Sequence, residues 1–129
     1  MVGRTANCCY YVEDPRVLIA WPDEGTLDTA ETATENVDFQ MDHFRSVGAP
    51  GIVMIFFDRM SGQDRGARQV YTSRVTENWS LGIALVGGSL LSRAMSAFFI
   101  GLSKPHVPTR LFATEAAAAS WIGQVLGRR

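Results

Sequence analysis

The sequence predicts one α/β domain, residues 1–129, built on a mixed and mostly parallel β-sheet. Two short stretches rich in strand-forming residues open the chain. Residues 52–57 are continuously apolar, which is typical of a central strand covered on both faces. Strand-like and helix-like stretches then alternate, as they do in α/β folds. We therefore expect five strands and four flanking helices in the order ββαβαβαβα.

The first predicted elements are an antiparallel hairpin and a long amphipathic helix. Residues 8–12 and 17–21 are the hairpin strands, and the segment 13–16 between them has turn chemistry. From Thr26, the predicted N-cap, the hydrophobic period becomes helical. The stripe that this helix should bury comprises Leu27, Ala30, Thr34, Val37, Met41 and Phe44.

The central strand is expected to end at Asp58, with a polar loop after it. Asp64 is the predicted N-cap of a helix over residues 65–77, because its side chain can accept from the free amides of the first turn. That helix should bury Ala67, Val70 and Tyr71.

The last third of the chain predicts two further strand–helix units. A strand over residues 79–86 leads through Gly87-Gly88-Ser89 into a helix over residues 89–103. A strand over residues 109–113 precedes a final helix capped by Thr114. The buried stripe of the final helix comprises Ala118, Trp121, Ile122 and Val125.

Charge is balanced overall but unevenly distributed. Twelve basic and thirteen acidic side chains give a net charge of −1, which argues against a nucleic-acid partner. Residues 1–44 carry −7 and residues 45–129 carry +6. Five acids form a stripe on the first helix, interpreted as a solvated face, with a partner-binding ridge as the alternative. They are Asp28, Glu31, Glu35, Asp38 and Asp42.

The cysteine pattern and the hydropathy predict a cytoplasmic protein. Cys8 and Cys9 are adjacent, a spacing that rarely permits a disulfide, so we expect a reducing compartment. The N-terminus lacks a signal-peptide pattern, and no apolar run reaches the roughly 20 residues that cross a bilayer, so stable membrane insertion is not expected. His43 and His106 show no metal-binding spacing, and we expect neither a metal nor a cofactor.

Three segments should meet where the parallel strands end, which is where open α/β sheets bind ligands. They are Asp58, the helix start at Asp64 and Arg65, and the turn Gly87-Gly88-Ser89. The glycines and the helix start behind them are a candidate anion site, to which Arg93 would add charge. The alternative is a tight turn with a purely structural role.

No convincing catalytic constellation is found. Asp58 and Asp64 are candidates for a carboxylate pair, but each has a simple structural use at a strand end or a helix start. Ser89 with His106 is the one nucleophile–base combination, and it lacks a nucleophile elbow. We therefore expect no catalytic residue.

The predicted helix over residues 89–103 is apolar around nearly its whole circumference, whereas a helix on a sheet needs one apolar stripe. Its outer side should be covered by a second copy of the chain, another protein or a lipophilic ligand. The alternative is cover by the last helix and the 104–108 loop. We expect a homodimer whose interface includes Leu91, Met95, Phe98, Phe99 and Leu102.

Several segments resemble the STAS family, the domain shared by anti-sigma factor antagonists and sulfate transporters, and above all bacterial stand-alone STAS/SEC14-like proteins. The resemblance spans residues 8–126 and is strongest after residue 51. The segments that carry it are 52–58, 64–68 (DRGAR), 84–93 (ALVGGSLLSR), 98–102 (FFIGL), 104–105 (KP) and 107–112 (VPTRLF), with Glu115 and Trp121.

The resemblance implies a five-stranded sheet and a non-enzymatic regulatory role through an unidentified protein partner. Anti-sigma factor antagonists carry a phosphorylatable serine in an Asp-Ser-Ser-Gly motif. Here Asp64 is kept, but Arg65 and Gly66 follow it, so the usual phosphorylation switch is not expected. The alternative function is a carrier or sensor of a small lipophilic or anionic ligand at the sheet edge. An enzyme is the third alternative.

Overall fold

The computed structural model describes residues 1–89, 93 and 105–127. Residues 1–89 and 105–127 form eight strands, three α-helices and a short 3-10 helix at Phe57–Arg59. The helices are α1 (Ala30–Val47), α2 (Arg65–Arg74) and α3 (Glu115–Gly127). The strands are β1 (Gly3–Arg4), β2 (Cys8–Asp14), β3 (Val17–Pro22), β4 (Leu27–Asp28), β5 (Gly51–Phe56), β6 (Gly62–Gln63), β7 (Ser80–Val86) and β8 (Thr109–Phe112).

The main sheet is mixed and mostly parallel, as predicted. Its strand order is β1-β2-β3-β5-β7-β8. The hairpin β2–β3 is antiparallel, and the three pairings from β3 to β8 are parallel. The sheet has six strands rather than the five expected, because Gly3 and Arg4 pair with β2 at its edge. Two residues of this composition give no strand signal in the sequence.

Strand β5 lies inside the sheet, between β3 and β7, and both of its faces are covered. Helices α1 and α2 cover one face and α3 covers the other, which explains why the strand shows no polar alternation. The core under α1 and α2 includes Tyr10, Leu18, Val37, Phe44, Val53 and Leu85. The core under α3 includes Ile19, Ile52, Met54, Ala84, Trp121 and Ile122.

Two of the three predicted helix caps are confirmed. The Asp64 side chain accepts from the Ala67 amide at 2.8 Å, and the Thr114 hydroxyl accepts from the Ala117 amide at 3.2 Å. These caps depend on local chemistry alone, which is why the sequence predicts them.

The prediction that Thr26 caps the first helix was wrong, because α1 begins at Ala30 and its cap is Thr29. Residues 27 and 28 instead form β4, which pairs with β6 in a separate two-stranded sheet. A pairing between segments 35 residues apart leaves no local pattern in the sequence. The C-cap of α1 is Gly48, whose positive φ of 81° is a conformation that glycine adopts readily.

The predicted helix over residues 89–103 lies outside the described residues, apart from Ser89 and Arg93. The same holds for every residue of the predicted dimer interface. Those residues are Leu91, Met95, Phe98, Phe99 and Leu102. None of the helices within residues 1–89 and 105–127 combines the length and the apolar character needed to cross a membrane.

Replacement of Gly51 by alanine should strongly destabilise the fold. A Cβ atom at this position would lie 2.5 Å from the Arg16 carbonyl oxygen and would overlap the Phe44 ring. The Arg16 carbonyl also accepts from the Ile52 amide, so it cannot withdraw without a loss of pairing. We expect the free energy of unfolding to fall by at least about 2 kcal/mol in urea denaturation.

The matched control is Gly123→Ala in α3. A Cβ at Gly123 has no neighbour within 4 Å, and the residue is exposed. This variant should be more stable by about 0.5–1 kcal/mol, because alanine loses less backbone entropy than glycine in a helix. Equal stability of the two variants would contradict the close packing of β5 against Phe44.

Candidate functional site

Asp58 holds together the ends of the two central strands. Its carboxylate accepts hydrogen bonds from the Gly88 amide (2.9 Å), the Ser89 amide (3.4 Å) and the Ser89 hydroxyl (2.6 Å). Asp58 follows β5, and the turn at Gly88 and Ser89 follows β7. The predicted meeting of these two segments is therefore present, and it is made by direct contact.

These contacts change how the candidate anion site is interpreted. The amides of Gly88 and Ser89 already donate to a carboxylate of the protein itself. A free anion at this turn would have to displace Asp58 or approach beside it. The geometry therefore favours the structural alternative, in which Asp58 fixes the turn as an internal anion.

The remaining predicted rim residues lie on two elements. Asp64 caps α2, and Arg65 is the exposed first residue of that helix. Arg93 is also exposed, and its guanidinium donates to the Gly88 carbonyl at 3.4 Å. Gly87 is buried, and its amide donates to the Phe112 carbonyl of β8 at 2.9 Å. Within the described parts of the chain, no cluster of three or more His, Cys, Asp or Glu side chains could hold a metal.

A second polar cluster, which the sequence did not predict, lies between the sheet and α1. At its centre, the Asn36 side-chain oxygen accepts from the Tyr10 hydroxyl (2.8 Å) and the Thr5 hydroxyl (2.6 Å). The Asn36 amide group donates to the Asn7 side chain at 2.8 Å, and Gln40 donates to the Tyr10 hydroxyl at 3.1 Å. All five side chains are buried, so α1 is joined to β2 by hydrogen bonds as well as by apolar packing.

Asp28 extends this cluster toward α2. The prediction that it belongs to a solvated acidic face was wrong, because its side chain is only 1% exposed. Its Oδ1 accepts from the Thr32 hydroxyl and from the Asn7 amide (3.3 Å), and its Oδ2 accepts from the Tyr71 hydroxyl. Because α1 begins at Ala30 and not after Thr26, Asp28 precedes the helix, and its side chain is buried.

The other acids of the predicted stripe lie on the surface of α1. Asp38 forms an ion pair with Arg74 of α2 at 2.6 Å, and Asp42 lies 3.8 Å from Arg45. Glu35 accepts from the Ala6 amide at 2.6 Å. These contacts support the interpretation of the stripe as a solvated face that also ties α1 to its neighbours.

A cavity of about 60 Å³, here called the α1–α2 cavity, opens beside this polar cluster. This volume exceeds the roughly 10–15 Å³ that a cavity needs to hold a water molecule. Its described polar lining residues include Asn7, Cys8, Tyr10, Asp28, Asn36, Gln40, Gln63 and Tyr71. Its described apolar lining residues are Ala20, Pro22, Ile55, Phe57, Met60, Val75, Ile83, Leu85 and Pro105.

Burial alters the acid–base behaviour of three groups beside the cavity. Loss of solvent raises the pKa of the Cys8 thiol to about 12 from 9.0. Burial also raises the pKa of Tyr10 well above 10.0, and burial together with the nearby Asp28 carboxylate does the same for Tyr71. All three groups therefore stay neutral at physiological pH, and Cys8 is not poised as a nucleophile.

The sequence carries a signal for part of this cluster. Asn36 and Gln40 fall on the same helical stripe as Ala33, Val37 and Phe44, and all five are buried. Polar side chains in the middle of an apolar stripe indicate buried hydrogen bonding. No comparable signal marks Asp28, because its burial depends on the pairing of β4 with β6.

On the opposite face of the sheet, aromatic side chains remain partly exposed. Helix α3 packs on β7 and β8, whereas Tyr11 of β2 and Trp21 of β3 are 39% and 37% exposed. The Trp21 ring contacts Phe56 and lies under the Arg59 guanidinium, 4.5 Å from the ring centroid. Exposed aromatic residues of this kind occur at protein-binding surfaces.

The element order and the mixed sheet define an α/β protein, and comparison with solved structures confirms the STAS-like (SpoIIAA-like) fold that the resemblance implies. A similar solved structure is an uncharacterised protein of the DUF3478 family from Shewanella loihica PV-4, described as having a SpoIIAA-like fold. The TM-score is 0.65 at 12% sequence identity, covering 95% of this chain and 98% of that chain. At this identity the likeness shows the fold alone.

The chain belongs to the family described as Domain of unknown function (DUF7793), whose model matches residues 18–126. The family that matches is therefore DUF7793 and not a named STAS family. No curated protein matches the chain significantly.

The buried thiol predicts a loss of stability in alkali. Burial raises the pKa of Cys8 in the folded state from 9.0 to about 12. The contribution of the buried neutral thiol to the free energy of unfolding is therefore complete below pH 9 and is lost as the pH rises toward 12, because the unfolded state deprotonates first. We expect the free energy of unfolding to fall between pH 9 and 10 by up to about 1.4 kcal/mol per pH unit from this group. Urea denaturation across that range measures the slope.

Cys8→Ala should flatten this slope, whatever its effect on stability at pH 7. Val37→Ala is the matched control, because it also removes buried apolar atoms but no titrating group. It should lower stability and leave the slope unchanged. An unchanged slope in Cys8→Ala would show that the thiol is not shielded from solvent.

Proposed function

We propose that this protein is a non-enzymatic regulatory module of the STAS-like type that binds another protein through its rim surface. The rim surface is defined as Asp58, Asp64, Arg65, Gly88, Ser89 and Arg93. All six residues are exposed, and buried Gly87 supports them from β7. The observation that carries the proposal is the set of hydrogen bonds from Gly88 and Ser89 to Asp58.

These bonds give the surface a fixed shape before any partner arrives. The loops that follow two neighbouring strands are joined at an exposed position by hydrogen bonds from two backbone amides and one hydroxyl. A surface that is already ordered loses less conformational entropy on binding. The rim surface also presents both charge signs, which can set partner specificity.

The mode of regulation would differ from the phosphorylation switch of anti-sigma factor antagonists. The positions after Asp64 hold Arg65 and Gly66, neither of which can accept a phosphate as serine does. Arg65 places a fixed positive charge at the start of α2 instead. The proposal is therefore binding that does not depend on phosphorylation at this helix start.

A photo-crosslinking residue in place of Arg65 tests the rim surface directly. In cells, this position should capture a defined partner, whereas the same residue at Asp42 on the outer face of α1 should not. Crosslinking from Tyr11 tests an alternative docking surface, the face of the sheet where Tyr11 and Trp21 are partly exposed. A partner captured from Tyr11 and never from Arg65 would contradict the proposal.

Charge reversal then tests whether the captured protein binds this surface. With the purified partner, Arg65→Glu should weaken binding at least tenfold, because an attractive charge becomes repulsive. Asp58→Ala should also weaken it, since the tie to Gly88 and Ser89 is lost. Asp42→Asn is the matched control and should bind as the unchanged protein does. Equal affinities for all four proteins would contradict the proposal.

Self-association of two copies remains a second part of the proposal. The support is the sequence pattern of residues 89–103, where the number of apolar side chains exceeds what one sheet-facing stripe requires. We expect sedimentation velocity to show a dimer, and Phe98→Glu to shift it to a monomer with an unchanged circular dichroism spectrum. A monomer at all concentrations would contradict this part.

The α1–α2 cavity favours a second candidate function, the binding of a small ligand. A partly enclosed space lined by apolar side chains and a few polar groups is the usual form of a ligand site. Ligand binding beneath α1 and α2 is compatible with protein binding at the rim surface, which those helices do not occupy except at Arg65.

A further inference from the structure

The α1–α2 cavity has two chemically distinct sides. Asp28, Asn36, Gln40, Gln63 and Tyr71 line it from α1, α2 and the short strands before them, and further polar residues line it from β2 and β8. Most of its apolar lining residues belong to β3, β5 and β7. A molecule that fills it would therefore need a polar group facing the helices and an apolar body facing the sheet.

Asp28 determines the chemistry of the polar side. It lines the cavity, it is only 1% exposed, and within the described residues its carboxylate accepts from two hydroxyl groups and one amide, all neutral. The described lining residues include no arginine, lysine or histidine. A buried carboxylate whose described partners are all neutral is costly to hold away from water, and a cation that entered the cavity would reduce that cost.

The hydrogen bonds of Asp28 leave a position for such a cation. A carboxylate has about four acceptor positions, and Asp28 uses two on Oδ1 and one on Oδ2. A further donor can be accepted at Oδ2. The Tyr71 oxygen, which donates its own proton to Asp28, can accept from the same group. The ammonium group of a primary amine has three N–H donors and suits this arrangement.

The size of the cavity limits the ligand to a compact molecule. Its volume of about 60 Å³ is several times the roughly 10–15 Å³ that a cavity needs to hold one water molecule. A short alkyl or aryl group would contact Ala20, Ile55 and Leu85 on the sheet side.

We propose that the α1–α2 cavity binds a small organic cation, a primary amine with a short apolar body, whose ammonium group donates to Asp28. The inference rests on the second candidate function, ligand binding in this cavity, and adds the chemical class of the ligand. It is independent of protein binding at the rim surface.

Three probes of nearly equal size test the proposal on the unaltered protein. Butylamine, butan-1-ol and butyrate differ in the head group and share the apolar chain. Their binding can be measured by NMR titration at pH 7, and we expect a Kd of about 0.1–1 mM for butylamine. It should bind at least tenfold more tightly than the alcohol, and butyrate should bind least, because its charge is repelled by Asp28.

Variants then locate the amine. Asp28→Asn keeps the shape of the side chain and removes its charge, so it should weaken butylamine at least tenfold and leave butan-1-ol unchanged. Asp38→Asn is the matched control, since Asp38 lies on the exposed side of α1 and pairs with Arg74. If Asp28→Asn does not fold, nuclear Overhauser contacts from the probe to the Ala20 and Leu85 methyl groups locate it in the unaltered protein.

The outcomes separate the two proposals. Tighter binding of butylamine, with contacts to Ala20 and Leu85 and sensitivity to Asp28→Asn, supports the inference. Equal or tighter binding of butan-1-ol or butyrate at the same place overturns the amine assignment and leaves ligand binding standing. Failure of all three probes to bind in the cavity overturns both.

Discussion

The hydrogen bond between Tyr10 of β2 and Asn36 of α1 is the interaction on which the arrangement of this protein depends. It crosses from the sheet to the helix in a region closed to solvent, where both side chains are nearly inaccessible. Asn36 also accepts a hydrogen bond from the Thr5 hydroxyl and donates one to the Asn7 side chain. Because unsatisfied polar groups are costly in such a place, α1 can lie on the sheet in few positions.

The position of α1 determines the rest of this side of the molecule. The entry to α1 brings β4 against β6 and turns Asp28 inward, where it meets Tyr71 of α2. The α1–α2 cavity lies where polar side chains of α1, α2 and the segments before them face apolar side chains of β3, β5 and β7. On the opposite face, the core described under α3 is a cluster of apolar side chains.

The central features of the fold could be predicted from the sequence because they follow from local or one-dimensional patterns. The apolar run at 52–57 is a buried strand, and Asp64 and Thr114 cap helices through atoms within three residues of themselves. The contact of Asp58 with the turn at Ser89 followed from the rule that parallel strands end at one edge. The nature of that contact did not follow, because hydrogen-bond geometry is not encoded in a spacing.

The buried polar cluster could be predicted only in part. Asn36 and Gln40 share a stripe with apolar residues, but their partners Tyr10 and Asn7 lie about 30 positions earlier in the chain. Asp28 has the spacing of the acidic surface residues on α1, and only long-range strand pairing removes it from that group. Burial of a charged residue is a property of the assembled fold, so local periodicity assigned it to the surface.

A double-mutant cycle between Asn36→Ala and Tyr10→Phe tests this account most directly. Free energies of unfolding for both single variants, the double variant and the unchanged protein give the coupling between the two side chains. The account predicts a favourable coupling of about 1–2 kcal/mol, as expected for buried partners in one network. Additive effects, with a coupling below about 0.3 kcal/mol, would contradict the claim that this bond holds α1 on the sheet.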